Sequence, residues 1–330
     1  MAAEKSNAKH VTSFPLSELE AAAEAVHRHI PPTPQYCWPL LSRRLGCEVW
    51  VKHENHSPTG AFKVRGGIVY LGELRRRNPN AVGLVAATRG NHGQSLAFAA
   101  RLFGLKAVVV VPHGNSEEKN AAMLALGAEL VIHGSDFQES LEYAVELAGK
   151  RNLLPAASFD PLLVKGVSSY ALEMFRGMPE PDVVYVPIGL GSGICGVMAA
   201  RDALGLKTDV VGVVSAAAPA YALSFRERRL VSHPAASRIA DGMACRKPDE
   251  MALEAIWAGV ARVVEVTDDE VEAAMRALFS DTHNAAEGAG AAALAAAIKE
   301  RDLLAGKRIT VVLSGGNVDR TVFARVLSAG

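Results

Sequence analysis

Short β-branched runs recur along this chain between alanine- and leucine-rich stretches, and that alternation limits the fold more than any other feature. The runs lie at 47–54 (CEVWVKHE), 82–88 (VGLVAAT), 106–112 (KAVVVVP), 127–133 (GAELVIH), 181–188 (PDVVYVPI), 208–215 (TDVVGVVS), 261–267 (ARVVEVT) and 307–314 (KRITVVLS). Most are apolar at successive positions, as strands are when a parallel sheet buries both of their faces. Candidate helices lie between them at 64–75, 93–103, 116–126, 136–150, 162–176, 193–204, 268–280 and 285–300. Alternation of this kind predicts an α/β fold with parallel sheets. At 330 residues, and roughly 150 residues per domain, two domains with a cleft between them are expected.

Charge and composition remove several classes of function. Lys+Arg and Asp+Glu number 35 each, so no basic excess draws the chain to phosphate backbones, and nucleic acid is not an expected partner. Residues 1–14 contain no apolar run able to act as a signal-peptide core. The bland stretch at 288–298 is too short to span a bilayer. A cytoplasmic protein with no membrane partner is expected. Cys37, Cys47, Cys195 and Cys245 are widely separated with no C-x-x-C pair, which predicts reduced, mostly buried thiols rather than a disulfide framework. His10, His113, His133 and His233 lack metal-ligand spacing, and no metal site is expected.

Parallel sheets bind ligands at the carboxyl ends of their strands. Three of those ends are unusual here: Thr88-Arg89-Gly90-Asn91-His92-Gly93, Gly189-Leu190-Gly191-Ser192-Gly193-Ile194-Cys195-Gly196 and Ser314-Gly315-Gly316-Asn317. The second opens a helix, so its backbone N–H groups and the positive helix end can converge on an anion. Residues 191–196 also match G-x-G-x-x-G, which would suit a nicotinamide-dependent oxidoreductase. That pattern needs an acidic residue near the end of the next strand, where TDVVGVVSAAAP offers Ser215 and alanines, so a lone phosphate fits better. Lys63 follows a Pro58-Thr59-Gly60 turn, sits beside Phe62 and starts an apolar helix. Partial desolvation there would free its amine for covalent or proton chemistry. Thr88, Asn91 and His92 supply donors suited to a carboxylate. Each feature has a plainer reading: Lys63 a solvated surface lysine, Asn91 and Ser314 helix caps, His92 a packing residue.

Taken together, Pro58-Thr59-Gly60-Ala61-Phe62-Lys63 and the three strand ends resemble, in order and spacing, the serine/threonine dehydratase group of fold-type II pyridoxal-phosphate enzymes. The likeness runs from about residue 15 to the end. The forms TGAFKVRGG, TRGNHGQS and GLGSGICG look most like the threonine-dehydratase-like branch that includes hydroxyectoine-utilisation dehydratases. The resemblance implies a tryptophan-synthase-β-like fold of two parallel-sheet domains with the cofactor in the cleft. Residues 1–66 and 156–330 would form the large domain and 67–155 a small mobile one, in a homodimer.

The resemblance further implies pyridoxal 5'-phosphate held covalently by Lys63, with its phosphate on Gly189, Leu190, Gly191, Ser192 and Gly193. Ser314 would meet the pyridine nitrogen, Asn91 the ring hydroxyl, and Phe62 the ring itself. Thr88, Arg89, Gly90, Asn91 and His92 would form the substrate turn. The implied activity is an ammonia-lyase that removes the β-hydroxyl of a β-hydroxy amino acid to give a 2-oxo acid and ammonia. Lys63 would take the Cα proton, and a hydroxyl at Ser314 would favour elimination over transamination. Two departures stand out. Serine racemases carry an acid/base serine where this chain has Arg89, so racemisation is not expected. Nothing between Asp209 and Glu227 is acidic, so the divalent-ion site of some relatives is not expected either. Arg89 is expected to face the substrate, favouring 3-hydroxyaspartate or phenylserine, with a rim salt bridge as the alternative. An amino-acid racemase, a nicotinamide-dependent oxidoreductase and a non-catalytic binding protein remain the competing functions. Feedback control through a C-terminal effector-binding domain is not expected.

Overall fold

The structure, a computed structural model, describes residues 11–329. The expectations about the first ten residues, His10 included, therefore lie outside it.

Two sheets organise the chain. The larger runs in the order β1 (Gln35–Cys37), β2 (Glu48–His53), β10 (Arg308–Leu313), β7 (Val183–Pro187), β8 (Asp209–Ser215) and β9 (Arg262–Val266), parallel except for the β1–β2 pair. The smaller runs β5 (Glu129–Ile132), β4 (Lys106–Val111), β3 (Gly83–Ala87) and β6 (Leu154–Pro155), parallel throughout. Every expected strand is present. The expected helices are α3 (Lys63–Arg77), α4 (Asn91–Leu102), α5 (Glu117–Ala125), α6 (Phe137–Arg151), α7 (Pro161–Arg176), α8 (Ser192–Ala203), α11 (Asp268–Thr282) and α12 (Gly288–Lys299). Five more were not anticipated: α1 (Leu16–His27), α2 (Pro39–Leu45), α9 (Ala220–Glu227), α10 (Glu250–Gly259) and α13 (Arg320–Ser328). Among the described residues no helix is long and apolar enough to cross a membrane.

The period-2 pleat divides the core. On β7, Tyr185 points into one apolar cluster with α11 and α12, while Val184 and Val186 point into another with α7 and α8. The small sheet does the same, with Leu84 and Ala86 on the side of α3 and α4 and Val85 and Ala87 on the side of α6. Helices thus cover both faces of each sheet, which is why the strands read as unbroken apolar runs. The four cysteines are free thiols, Cys37 exposed and the other three buried.

Helices α3 and α7 join the two halves. They approach closely because Gly66 lies against the Leu163 backbone, where a Cβ would stand 2.9 Å from the carbonyl oxygen. In the first turn of α3, Arg65 is fully buried; its guanidinium donates to Glu54 (Nε to Oε2, 2.7 Å), to Glu173 (Nη1 to Oε1, 2.5 Å) and to Ser169. Lys52 donates to the same Glu173. Burial alone would raise the Glu173 carboxyl, but Arg65 and Lys52 outweigh it and hold the group at about 2. This ion cluster locks the base of the helix that carries Lys63.

Candidate active site

Lys63 is the first residue of α3, as its sequence context predicts, and the turn before it is anchored to the large sheet. The amide of Phe62 donates to the carbonyl of Ser314 (3.1 Å) and that of Gly316 to the carbonyl of Gly60 (2.9 Å), tying the turn to the end of β10. Gly60 adopts a left-handed φ of 66°, and a Cβ there would strike the Asn317 amide. On the other side Ser95 of α4 donates to the carbonyl of Lys63 (2.6 Å). The lysine is therefore held from both halves of the molecule. Burial depresses its ammonium pKa, with Glu287 opposing. Its Nζ stands 5.1 Å from the centre of the Phe62 ring.

The glycine turn follows β7 and opens α8. Among the described residues no backbone carbonyl accepts from the amides of Leu190 to Gly193, as expected of a helix N-terminus. Tyr221 holds the turn by donating to the carbonyl of Leu190 (2.8 Å). A Cβ on Gly189 would lie 2.6 Å from the Gly242 carbonyl oxygen, and one on Gly191 2.6 Å from the Ala252 side chain. The edge of Phe62 lies beside Gly193, and Tyr170 packs edge-on against Phe62.

The third strand end places Thr88 and Gly90 in the turn before α4, with the Thr88 hydroxyl accepting from the Gly90 amide (3.3 Å). Gly90 is the N-cap residue and no side chain caps the helix, so Asn91 does not have the plainer role of a cap. Its Nδ2 donates instead to Glu287 Oε1 (2.6 Å), and its Oδ1 accepts from Asn317 Nδ2 (2.8 Å). The His92 Nε2 is buried with no partner among the described residues. Burial, aided by the positive Lys63, pushes this imidazole down to about 3, so it is neutral at physiological pH. Arg89 is exposed, and the rim salt bridge weighed for it is not among the ion pairs of the described residues. Ser314 directly follows β10, buried, with its hydroxyl 3.4 Å from the Ala289 carbonyl. No helix starts there, so a cap role is excluded for it too. Lys63, His92, Ser158 and Ser192 line one pocket together with Gly66, Leu163 and Val167.

The family model for pyridoxal-phosphate dependent enzymes matches residues 26–315. The chain belongs to this family. An L-threonine ammonia-lyase of Thermotoga maritima is 34% identical over 295 residues, 88% of this chain and 72% of the relative. Among solved structures, the processed form of threonine deaminase isoform 2 from Solanum lycopersicum aligns with a TM-score of 0.88 at 28% identity, covering 97% of this chain and 95% of that one. A pyridoxal 5'-phosphate-dependent aspartate racemase aligns with a TM-score of 0.87, also at 28% identity, over 93% of this chain and 97% of that one. Pyridoxal phosphate is the cofactor of this pyridoxal-phosphate enzyme. The residues present fit it: a partly desolvated lysine amine, a glycine turn with no room for side chains, and a buried His92 nitrogen left without a partner.

Several residues of the site carry no sequence motif. Glu287 was placed inside a helix over 285–300, but α12 begins at Gly288 and Glu287 precedes it, with its side chain turned toward Asn91. Tyr221 and Ser158 were also not anticipated. Glu287 alone had a visible signal, being the one charged residue between His283 and Lys299.

Proposed function

We propose that this chain is a pyridoxal-phosphate-dependent ammonia-lyase that removes the β-hydroxyl of a threonine- or serine-like amino acid, releasing a 2-oxo acid and ammonia. The observation that carries it is one pocket lined by Lys63, Ser192 and His92, residues from the starts of three helices, and this supports reading them as an amine, an anion seat and a substrate turn. The names borne by the Thermotoga and tomato proteins support the same chemistry. When bound, pyridoxal phosphate supplies the conjugated ring that spreads the negative charge left as the Cα proton departs. Lys63 would hold it, Gly189 to Gly193 would receive the phosphate, Ser314 and Asn91 would meet ring nitrogen and ring oxygen, and Phe62 would flank it.

The chain's own residues divide the remaining work. Thr88, Asn91 and the neutral His92, at the positive end of α4, receive the substrate carboxylate. Lys63, its ammonium destabilised by burial, returns as a neutral amine within reach of the Cα proton; its placement replaces a diffusional encounter. The Cα–H and Cβ–O bonds break, the proton passing to Lys63 Nζ and from there to the departing hydroxyl, which leaves as water and returns Lys63 to its neutral amine. Water is regained as ammonia leaves, so no oxidant or reductant is required. A hydroxyl at Ser314 does not hold a ring nitrogen protonated as a carboxylate would, which tempers charge delocalisation and favours prompt loss of the β-substituent.

Within that activity we infer a preference for a β-hydroxy amino acid with an acidic or aromatic side chain, such as 3-hydroxyaspartate or phenylserine. Its support is the exposed Arg89, free of ion pairs among the described residues, beside the substrate turn. Residues 67–155 are proposed to move as a small domain against 1–66 and 156–330. Exposed Tyr36, Leu40 and Phe279 on β1, α2 and α11 support a homodimer in which a second copy covers them. The free, mostly buried thiols support a cytoplasmic setting.

Purified protein tests the central reading. It should be yellow, lose its colour with borohydride and carry the added mass on Lys63, and it should release ammonia from at least one β-hydroxy amino acid. Lys63→Ala should lower turnover by orders of magnitude. A colourless protein that binds NAD, or a Lys63→Ala variant as active as wild type, overturns the reading; colour with racemised rather than deaminated substrate redirects it to a racemase.

A further inference from the structure

The carboxyl group of Glu287 is the least expected feature of the cleft. It is 4% exposed, belongs to the large-sheet half, and reaches across to the half that carries the substrate turn. Oε1 accepts from Asn91 Nδ2 at 2.6 Å, and Oε2 is buried with no partner among the described residues. The groups that face it are Lys63 on α3, Asn91 on α4, Lys119 on α5 and Asp241 of the Asp241–Met243 turn. Lys119 pairs with Asp241 (2.7 Å), so its charge is already shared. A buried carboxyl with one free oxygen and only a shared cation beside it is costly to ionise.

We propose that Glu287 is a positioning residue that governs the charge state of Lys63 and the orientation of Asn91. The proposal rests on Lys63 being the reactive amine. An amide has two N–H donors and one carbonyl oxygen. With one N–H on Glu287 and the oxygen taken by Asn317, Asn91 has one orientation and one N–H left for a ligand. Rotating the amide would set its oxygen against the Glu287 oxygen and its N–H group against that of Asn317. Glu287 also acts through space, since its ionised form favours the ammonium of Lys63. Burial, reinforced by Asp241 and opposed by Lys119, Asn91 and Lys63, lifts the Glu287 carboxyl to about 7. Its proton is therefore exchanged near neutral pH, and the amine responds.

Two variants separate the two actions. Glu287→Gln keeps an acceptor for Asn91 and removes the charge; Glu287→Asp keeps the charge and withdraws it from Asn91. In cofactor-free protein, modification of Lys63 by trinitrobenzenesulfonate, followed by peptide mass spectrometry across pH, reads the titration of the amine directly. Glu287→Gln should lower the Lys63 midpoint by about one pH unit, the order of shift a neighbouring opposite charge produces, and Glu287→Asp should leave it near wild type. Pyridoxal-phosphate affinity should fall several-fold in Glu287→Asp and much less in Glu287→Gln. A Lys63 midpoint shared by wild type and Glu287→Gln overturns the proposal, as does equal cofactor loss in the two variants. The labelling needs no cofactor, so it judges Glu287 even if the protein proves colourless, an outcome that would sink the lyase reading instead.

Discussion

Arg89 concentrates the question of specificity in one side chain. It is exposed, carries no ion pair among the described residues and belongs to the turn that begins with Thr88. An unpaired guanidinium near a binding cleft can recognise a second carboxylate with two parallel hydrogen bonds. Arg89→Ser should therefore lower kcat/KM for 3-hydroxyaspartate about tenfold, equivalent to about 1.4 kcal/mol, while threonine changes little. An unchanged ranking of threonine, serine, 3-hydroxyaspartate and phenylserine would show that the arginine does not choose the substrate. At this scale the sequence was most legible where glycine flanks a strand end. Lys63, Asn91, His92, Ser192 and Ser314 stand out because a plain connection needs neither their polarity nor their glycines. Glu287 was hidden by its company: a run of alanines extends a helical pattern through 285, and periodicity carries no information about which way the residue before a helix turns.

Helix α3 shows how an element imposes order on a reactive group. Its first turn holds both Lys63 and Arg65, and the latter is locked to Glu54, Glu173 and Ser169 without solvent. Removing one member of a buried ion cluster leaves the others unpaired, a loss of about 3–5 kcal/mol. Arg65→Met should destabilise the protein by that amount at neutral pH, measured by urea unfolding. The pH dependence has a definite sign. The Glu173 carboxyl is held at about 2 in the folded state, below its unfolded value, so its contribution is complete above about 4.5 and fades as pH falls from there toward 2. The gap between wild type and Arg65→Met should narrow over that window; a gap that stays constant down to pH 3.5 would show that packing rather than charge accounts for it. None of this network was visible in sequence. Arg65 between Val64 and Gly66 is a hint, but its partners are 11 and 108 residues away. The short strands β1 and β6, three and two residues long, escaped for another reason, being too brief to display an alternation. They exist because neighbouring strands offer them an edge.

In the whole molecule, the two halves meet in two different ways. On one side α3 and α7 pack through glycines over the buried ions. On the other the contacts are polar: Asn91 with Glu287 and Asn317, Lys119 with Asp241, Ser116 with Asp319 (2.5 Å), and Glu118 with the amide of Arg320 (3.0 Å). Water replaces such contacts at a net cost of about 1.5–3 kcal/mol each where a charged group takes part, whereas the glycine side has no equivalent substitute. Opening should therefore hinge at α3 and α7. Asp319→Ala should speed amide hydrogen exchange across α5 severalfold and leave α7 unchanged; equal exchange in α5 before and after the substitution would count against this mode of opening. The two-sheet architecture itself was readable from the strand runs, since strands covered on both faces leave an apolar signature. Which sheet each joins was not, because the order of β10 between β2 and β7 is a fact of distant pairing.

The tie between the Phe62 amide and the end of β10 has a consequence for how such a protein changes over time. The turn that leads into Lys63 is rooted in the large sheet, and the turn from Thr88 to Asn91 is rooted in the small one. A substitution in the second turn can therefore alter what that turn meets without loosening the hydrogen bonds that anchor the first. Adaptability and anchorage are thus stored in separate pieces of the same chain.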